Sequence, residues 1–304
     1  MDVYLPIANL SVNGMVIVLL GGLTGLLSGM FGVGGGFLTT PLLIFYGVPP
    51  TVAAASAATQ VTGASVSGVI GHAERGQVDL KIGGVMVAGG IIGSGIGAIL
   101  FSVFEALGQI DVVISLLYVA LLGSIGTLMA KEAIETMRVA RGHIAPKARK
   151  RRHHPLVANL PGRWRFYKSG LYISPLAPLI LGAVVGILTM LMGVGGGFLM
   201  VPAMLYLLGM SAQVVVGTSL FQILFTTIAA TITHALTTQA VDVVLAGLLL
   251  IGSVTGAQLG VRFARKWKPE LLRLVLAATV LCVALAMAWG LGVQPGEIYS
   301  ADPL

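Results

Sequence analysis

The sequence predicts an all-α membrane protein with about ten transmembrane segments, arranged as two inverted repeats of five segments each. Three observations lead to this fold class: an apolar composition, a series of separate apolar segments, and a Gly-rich motif that occurs twice. Of the 304 residues, 56% are hydrophobic and 10% are charged, whereas soluble domains are about 25% charged. A chain of this composition cannot hide its apolar surface in its own core, so we expect lipid to cover much of it.

The apolar segments follow one another along the whole chain, and most approach the roughly 20 residues that a helix needs to cross the hydrocarbon. Two of them, 36–49 and 197–209, are shorter, and each directly follows a Gly-rich stretch. The ten segments lie at 14–31, 36–49, 52–72, 82–103, 110–130, 173–192, 197–209, 213–235, 243–261 and 271–291. No Lys or Arg precedes the first segment, so we interpret it as a permanent span and not as a cleaved signal peptide.

An internal duplication accounts for the order of these segments. "GVGGGFL" at 32–38 recurs letter for letter at 193–199, and a proline follows at the same spacing in both places. Further matches continue in the same order: Gln60 with Gln222, His72 with His234, and "VD" at 78–79 with "VD" at 241–242. Chance similarity between Gly-rich helices is the alternative. We expect a first transmembrane repeat at 1–130, a basic cytoplasmic linker at 131–172 and a second transmembrane repeat at 173–304.

The basic residues predict the orientation, because cytoplasmic loops carry an excess of Lys and Arg. Of 18 such residues, 11 lie in 131–168, two between the third and fourth segments, and five between the ninth and tenth. If all ten segments cross and both termini are periplasmic or extracellular, all 18 face the cytoplasm. Re-entrant short segments would leave five basic residues outside. An odd number of crossings per half inverts the second repeat, as in many secondary transporters.

The linker contains the basic run "PKARKRRHHP". We expect anionic lipid head groups as its partner, and no nucleic acid. "RWRFYKSGLY" mixes basic and aromatic residues, which is typical of a membrane interface leading into the sixth span.

The two Gly-rich motifs are the main candidates for a binding site. No strand precedes either "GVGGG", so a dinucleotide site is not predicted. Several glycines between apolar segments permit a helix break, whose freed backbone must be satisfied by protein or water. The short helix after each break would direct its N-terminus inward, with roughly half a positive charge, and two such termini would bind an anion without a basic side chain. The alternative is that the glycines only allow close helix packing. The candidate residues are Gly32, Gly34, Gly35, Gly36, Pro41, Gly193, Gly195, Gly196, Gly197 and Pro202.

Polar side chains near these motifs are few. Thr39 and Thr40 follow the first motif, and the third and eighth segments supply Ser56, Thr59, Gln60, Thr218, Ser219 and Gln222. Gln60 and Gln222 occupy corresponding positions, and a buried glutamine is costly unless it is paired. They therefore indicate either a shared role in binding or a hydrogen bond between helices. Neutral donors suit an oxyanion that must bind and then leave.

Other kinds of chemistry find little support. No acidic or basic residue lies deep in a span, so a carboxylate proton relay is not predicted. His72 and His234 are expected at span ends near the membrane interface. Five histidines and one cysteine are scattered, so we expect neither a metal site nor a cofactor. A serine from "GASVSG" with His234 has no recognised catalytic spacing, and we do not expect an enzyme.

The motifs resemble those of a known family. "GMFGVGGGFLTTPLL" and "LMGVGGGFLMVPAML" are similar to the paired signature of the TauE/SafE sulfite exporter family, and "GRWRFYKSGLYISPLAPLILG" resembles the start of the second half in bacterial members. The resemblance implies a transporter of sulfite or a related organosulfur anion, such as a sulfonate, in the bacterial inner membrane. Export is the favoured direction. A passive anion channel and a sulfonate importer are the alternatives, and a homo-oligomer is compatible with the resemblance.

Overall fold

A computed structural model describes residues 2–31, 34–140, 161–264 and 269–292, and these residues are mostly helical. The helices are α1 (Gly14–Phe31), α2 (Gly36–Phe45), α3 (Pro50–Glu74), α4 (Leu80–Ala106), α5 (Ile110–Ala140), α6 (Leu176–Met192), α7 (Gly197–Tyr206), α8 (Ala212–Thr237), α9 (Val243–Ala264) and α10 (Pro269–Gly292). The strands are β1 (Asp2–Leu5), β2 (Leu10–Asn13), β3 (Trp164–Phe166) and β4 (Leu171–Ile173). Gly32 and residues 141–160 of the expected linker lie outside the described part of the chain.

Helix length divides the described helices into two groups. Stretches of α4, α5, α8, α9 and α10 are long and apolar enough to cross a membrane, which confirms a mostly helical protein with several apolar spans. In contrast, α2 and α7 have 10 residues each. They are about 15 Å long, which is about half of a roughly 30 Å hydrocarbon core. Both end before the predicted short segments do, because the chain turns soon afterwards through glycines with positive φ, Gly47 at 95° and Gly209 at 72°.

Two β-hairpins correct the expectation of a purely helical chain. β1 pairs with β2, and β3 with β4, both antiparallel. The first hairpin precedes α1 and the second precedes α6, so each half of the chain has a hairpin followed by five helices in its described residues. The expected start of the second repeat, residue 173, falls in β4. Each hairpin buries apolar side chains, including Leu5 and Val12 in the first and Phe166 and Leu171 in the second.

Each hairpin is fixed to a helix from the other half by a buried aspartate. Asp79 Oδ1 accepts hydrogen bonds from the first turn of α4, and its Oδ2 accepts from the N–H and the hydroxyl of Ser169, at 3.0 and 2.5 Å. Asp242 Oδ1 caps α9 in the same way, and its Oδ2 accepts from the N–H of Ile7 at 3.1 Å. These aspartates belong to the two "VD" pairs, so the duplicated sequence repeats the same helix cap and the same hairpin contact.

Glycines bring helices of the two halves into close contact. A Cβ added at Gly93 of α4 would lie 2.0 Å from the Ala183 carbonyl oxygen of α6, and one at Gly252 of α9 would lie 2.1 Å from the Val18 carbonyl oxygen of α1. Successive contacts advance together along each pair, so α4 runs parallel to α6, and α1 runs parallel to α9. Such backbone contact is typical of membrane helices with small residues at their interface.

The central helix pair, α3 and α8, is antiparallel. The Thr62 hydroxyl donates to the Thr227 hydroxyl at 2.8 Å, and Thr59 donates to Thr231 at 3.4 Å. α5 packs against α10. Every one of these pairs joins one half of the chain to the other, so the two halves form one interlocked body.

Candidate functional site

The first break separates α1 from α2. Gly34 has a φ of 70°, which favours glycine, and residues 34–41 are all buried. The first helical bonds of α2 run from the N–H groups of Leu38 and Thr39 to the Gly35 carbonyl, and the Thr39 hydroxyl donates to the same oxygen at 3.1 Å. The N–H groups at the start of a helix have no partner within the helix. They face the protein interior here, because the whole segment is buried.

The second break separates α6 from α7 and needs several left-handed residues. Gly193, Gly195 and Gly196 have φ values of 70°, 69° and 72°, which explains why glycine occupies these positions. Gly193 ends α6, and Gly197 begins α7. A Cβ added at Gly193 would lie 2.0 Å from the Ala54 carbonyl oxygen of α3. The glycines therefore provide both the backbone conformation and the space for α3.

The two breaks contact each other. A Cβ added at Gly36 would lie 2.7 Å from the Val194 carbonyl oxygen and 2.6 Å from Val61 Cγ2. The rings of Phe37 and Phe198, which are equivalent residues of α2 and α7, lie 5.3 Å apart and are buried. The N-terminal ends of the two half-length helices are thus neighbours in the protein interior.

Each half-length helix also contains a proline at the equivalent position, Pro41 in α2 and Pro202 in α7. Proline has no N–H, so the carbonyl groups of Phe37 and Phe198 do not receive the usual helical bond from the residue four positions ahead. The first turn of each helix is consequently rich in backbone groups without helical partners.

The Met192 carbonyl at the end of α6, which the second break leaves without a helical partner, accepts from side chains of the other half of the chain. Met192, the last residue of α6, accepts a hydrogen bond from the Tyr118 hydroxyl at 2.7 Å and from the Thr40 hydroxyl at 3.2 Å. Both donors are fully buried. Sequence reasoning did not identify Tyr118, because it lies in an apolar run of α5 with no polar neighbour that would indicate a contact 74 residues away.

The predicted serine and threonine side chains of α3 and α8 form hydrogen bonds within the protein, two of them to the backbone of other helices. Ser56 Oγ accepts from the Asp242 N–H at 3.2 Å, and Thr218 Oγ1 accepts from the Asp79 N–H at 3.0 Å. These are equivalent contacts at the starts of α9 and α4. The Thr59 hydroxyl lies within hydrogen-bond distance of the Ala55 carbonyl in its own helix and of the Thr231 hydroxyl in α8. Ser219 donates to the Val216 carbonyl. Their hydroxyl groups therefore already have partners within the protein.

The two predicted glutamines differ from the hydroxyl residues. Gln60 and Gln222 are 1% and 0% exposed. Among the described residues, the Oε1 atoms of both and the hydroxyl oxygen of Ser65 are buried without a hydrogen-bond partner. Sequence reasoning considered the serines of "GASVSG", which include Ser65, only for enzyme chemistry and not for binding. Gln222 Nε2 donates to Thr226 Oγ1 at 2.8 Å. A buried unpaired polar group costs about 1–3 kcal/mol, so these three atoms have unused hydrogen-bonding capacity.

The glutamines lie at two levels of the helix pair. The bond between Thr62 and Thr227 sets the antiparallel register of α3 and α8. In that register Gln60 and Gln222 are about seven residues apart along the pair, or about 10 Å at about 1.5 Å per residue. The structure does not bring the two side chains together at one point.

His234 lies in the last turn of α8, near the end of a candidate span as expected, and it is buried within the protein. Its Nε2 donates to the Met190 carbonyl at 2.8 Å, and its ring packs edge-on against Phe101. It therefore supports the end of α6, close to the second break. In the described part of the chain, no group of three or more His, Cys, Asp and Glu residues could hold a metal ion.

The comparisons with known proteins agree with this architecture. The family model for the sulfite exporter TauE/SafE matches residues 17–287. The probable membrane transporter protein YjnA of Bacillus subtilis (strain 168) is 28% identical over 271 residues, covering 89% of this chain and 98% of that protein. A probable membrane transporter protein of Xylella fastidiosa (strain 9a5c) is 27% identical over 273 residues, covering 88% and 92%. No solved structure gives a significant match. The chain therefore belongs to the sulfite exporter TauE/SafE family and is a multi-pass membrane transporter protein.

Proposed function

We propose that the protein is a secondary transporter that moves sulfite, or a related organosulfur anion such as a sulfonate, across the bacterial inner membrane, with export as the favoured direction. Membership of the family supports the class of substrate. The observation that carries the proposal is the contact between the N-terminal ends of α2 and α7 at Phe37 and Phe198. A helix N-terminus binds anions through its free N–H groups and its partial positive charge.

In this proposal the backbone of the two breaks binds the anion, and the glutamines adjust its position. Gly34, Gly35 and Gly36 in the first break, with Gly195, Gly196 and Gly197 in the second, would allow the anion to approach the N–H groups closely, and Gly32 would belong to the same segment. Gln60 and Gln222 would contribute amide groups at two levels of the path. Thr39, Thr40 and the hydroxyl residues of α3 and α8 would keep this backbone in place.

We further propose that the halves are inverted repeats. α4 follows the direction of α8, because Gly83 contacts Phe221 and Gly90 contacts Thr226. Only residues 238–242 connect α8 to α9, a span of about 17 Å at most, which favours opposite directions for these two helices. Since α6 runs with α4 and α1 with α9, the equivalent helices α1 and α6 would then run in opposite directions. Rocking of one repeat against the other would give alternating access.

The expected orientation belongs to the same proposal. Both termini would be periplasmic, and the linker, with its basic run, would contact anionic lipid on the cytoplasmic side. The first hairpin and Asp242 would then lie on the periplasmic side, and the second hairpin and Asp79 on the cytoplasmic side. The bond from Ile7 of the first hairpin to Asp242, and the bond from Ser169 of the second hairpin to Asp79, agree with that placement.

Flux measurements in proteoliposomes test the proposal. We expect saturable flux of sulfite, thiosulfate or a sulfonate, with one anion preferred and with a response to an imposed pH gradient if protons are coupled. Gly195→Leu should abolish flux. Gly95→Leu should preserve it, because Gly95 is exposed and an added Cβ there meets nothing within 4 Å. The absence of flux for all three anions would refute the proposed substrate class. Single-channel currents of high conductance would favour the passive channel instead.

A further inference from the structure

A buried histidine lies beside the second break and takes no part in the anion site proposed above. His234 is 0% exposed and lies in the last turn of α8. Its Nε2 atom is 2.8 Å from the carbonyl oxygen of Met190 in α6. Met190 precedes Gly193, where the second break begins, by about 4.5 Å along the helix axis. The ring is therefore close to the backbone that is proposed to bind the anion.

The hydrogen bonds of the His234 ring fit both of its protonation states. A carbonyl oxygen can only accept, so Nε2 carries a hydrogen in either state. Nδ1 lies 3.2 Å from the Thr238 hydroxyl oxygen, which can donate or accept. In neutral histidine the Thr238 hydroxyl donates to Nδ1. In protonated histidine Nδ1 donates to Thr238 Oγ1, and the hydroxyl hydrogen turns to the His234 carbonyl oxygen, 3.0 Å away. Rotation of one hydroxyl group thus satisfies either state.

Thr238 also connects the buried ring to the outside. It directly follows the candidate span that ends at Thr237, it is half-buried, and the next residue, Gln239, is exposed. A proton can therefore pass by way of the Thr238 hydroxyl to Nδ1 while Nε2 stays bonded to Met190. The end of α8 favours the protonated ring, because a helix C-terminus carries a partial negative charge.

The titratable groups on the elements around His234 are few. α8 packs against α3, α4, α6 and α7, and α6 contains no titratable residue. Glu105 of α4 lies one turn beyond Phe101, which packs against the ring, and it is exposed. Asp242, which follows α8, uses its carboxylate oxygens for the first turn of α9 and for Ile7. The remaining titratable residues of these helices are His72 and Glu74 at the far end of α3, Lys81 at the far end of α4, and Tyr206 at the end of α7.

We propose that His234 binds a coupling proton, which is taken up and released together with the transported anion. The inference rests on the proposed function, because the anion at the second break supplies the charge that compensates the imidazolium. A buried cation is costly unless it is paired, so each ligand stabilises the binding of the other, and the effect is reciprocal. The proton is added to Nδ1 from water on one side of the membrane and leaves to water on the other. Anion and proton then cross in the same direction.

Proton uptake by the full-length protein in detergent tests this proposal. Thiosulfate and ethanesulfonate are suitable probes, because neither changes its own protonation near neutral pH. In weakly buffered solution at a pH of about 6, where histidine can titrate, either anion should cause the wild type to take up as much as about one proton per bound anion. A pH-indicator dye reads this uptake. His234→Gln keeps an amide donor for the Met190 carbonyl, and its uptake should be at least about fivefold smaller.

Two further variants make the test specific. His72→Gln is the matched control, because His72 is the equivalent histidine of the first half and bonds to Gln77 at 2.7 Å; its uptake should stay within about twofold of wild type. Thr238→Val keeps the ring and its bond to Met190 but removes the partner of Nδ1, so its uptake should also fall. Anion binding without proton uptake by the wild type, or equal uptake by the wild type and His234→Gln, would overturn the proposal. Absence of anion binding by the wild type would instead refute the proposed function, so the two failures are distinct.

Discussion

The substitution Gly193→Ala tests whether the left-handed backbone of the second break and its close contact with α3 require glycine at this position. A Cβ at this position would lie 2.0 Å from the Ala54 carbonyl oxygen, whereas real Cβ contacts are essentially never shorter than 3.0 Å. The break and α3 would therefore have to separate by about 1 Å. Overpacking of this kind costs about 1–3 kcal/mol, and the left-handed backbone adds about 1–2 kcal/mol for any residue with a Cβ.

We expect a total loss of about 2–5 kcal/mol in the free energy of unfolding. At about 2 °C for each kcal/mol in a chain of this size, the melting temperature in detergent should fall by about 4–10 °C. Gly95→Ala is the matched control, because an added Cβ there contacts nothing within 4 Å. Since alanine favours a helix over glycine by about 1 kcal/mol, this control should be neutral or slightly stabilising. Equal melting temperatures for the two variants would refute the described packing of the break on α3.

Three further predictions concern buried polar side chains. Tyr118→Phe should lower the stability by about 1–2 kcal/mol, measured by thermal unfolding, because the Met192 carbonyl loses its shorter hydrogen bond; an unchanged melting temperature would contradict this role. Asp242→Ala should remove both the helix cap of α9 and the bond to Ile7, so amide hydrogen exchange in residues 2–13 should become faster. Unchanged exchange would show that the aspartate does not stabilise the hairpin. Gln222→Leu should weaken substrate binding about tenfold without lowering the melting temperature, because it removes a buried unpaired oxygen; unchanged affinity would assign the glutamine to packing.

The broad architecture could be predicted from the sequence because it depends on local patterns. Apolar runs of helical length predicted the spans, and the identical "GVGGGFL" motifs predicted where the helices break. The two half-length helices begin at Gly36 and Gly197, within those motifs. Glycine conformation is a property of the residue itself, so the breaks were visible without tertiary information.

Contacts between distant residues could not be predicted in the same way. The strands have four residues or fewer, too few for a clear alternating pattern. The bond from Tyr118 to Met192, and the bonds of Asp79 and Asp242 to the hairpins, depend on how the halves interlock. The sequence indicated a polar role for Ser56 and Thr218, but it could not indicate that each would accept a bond from the backbone at the start of a helix.

The initial rate of sulfite flux by Gly195→Ala tests the central claim most directly. In this variant the added Cβ would lie 2.7 Å from Val61 Cγ1 at a φ of 69°, so it would deform the backbone proposed to bind the anion. Gly95→Ala, reconstituted at the same protein-to-lipid ratio, is the control. The account predicts that flux falls at least about tenfold in Gly195→Ala and remains at the wild-type rate in Gly95→Ala. Equal flux by the two variants, both folded and inserted, would contradict the proposal that the paired breaks bind the transported anion.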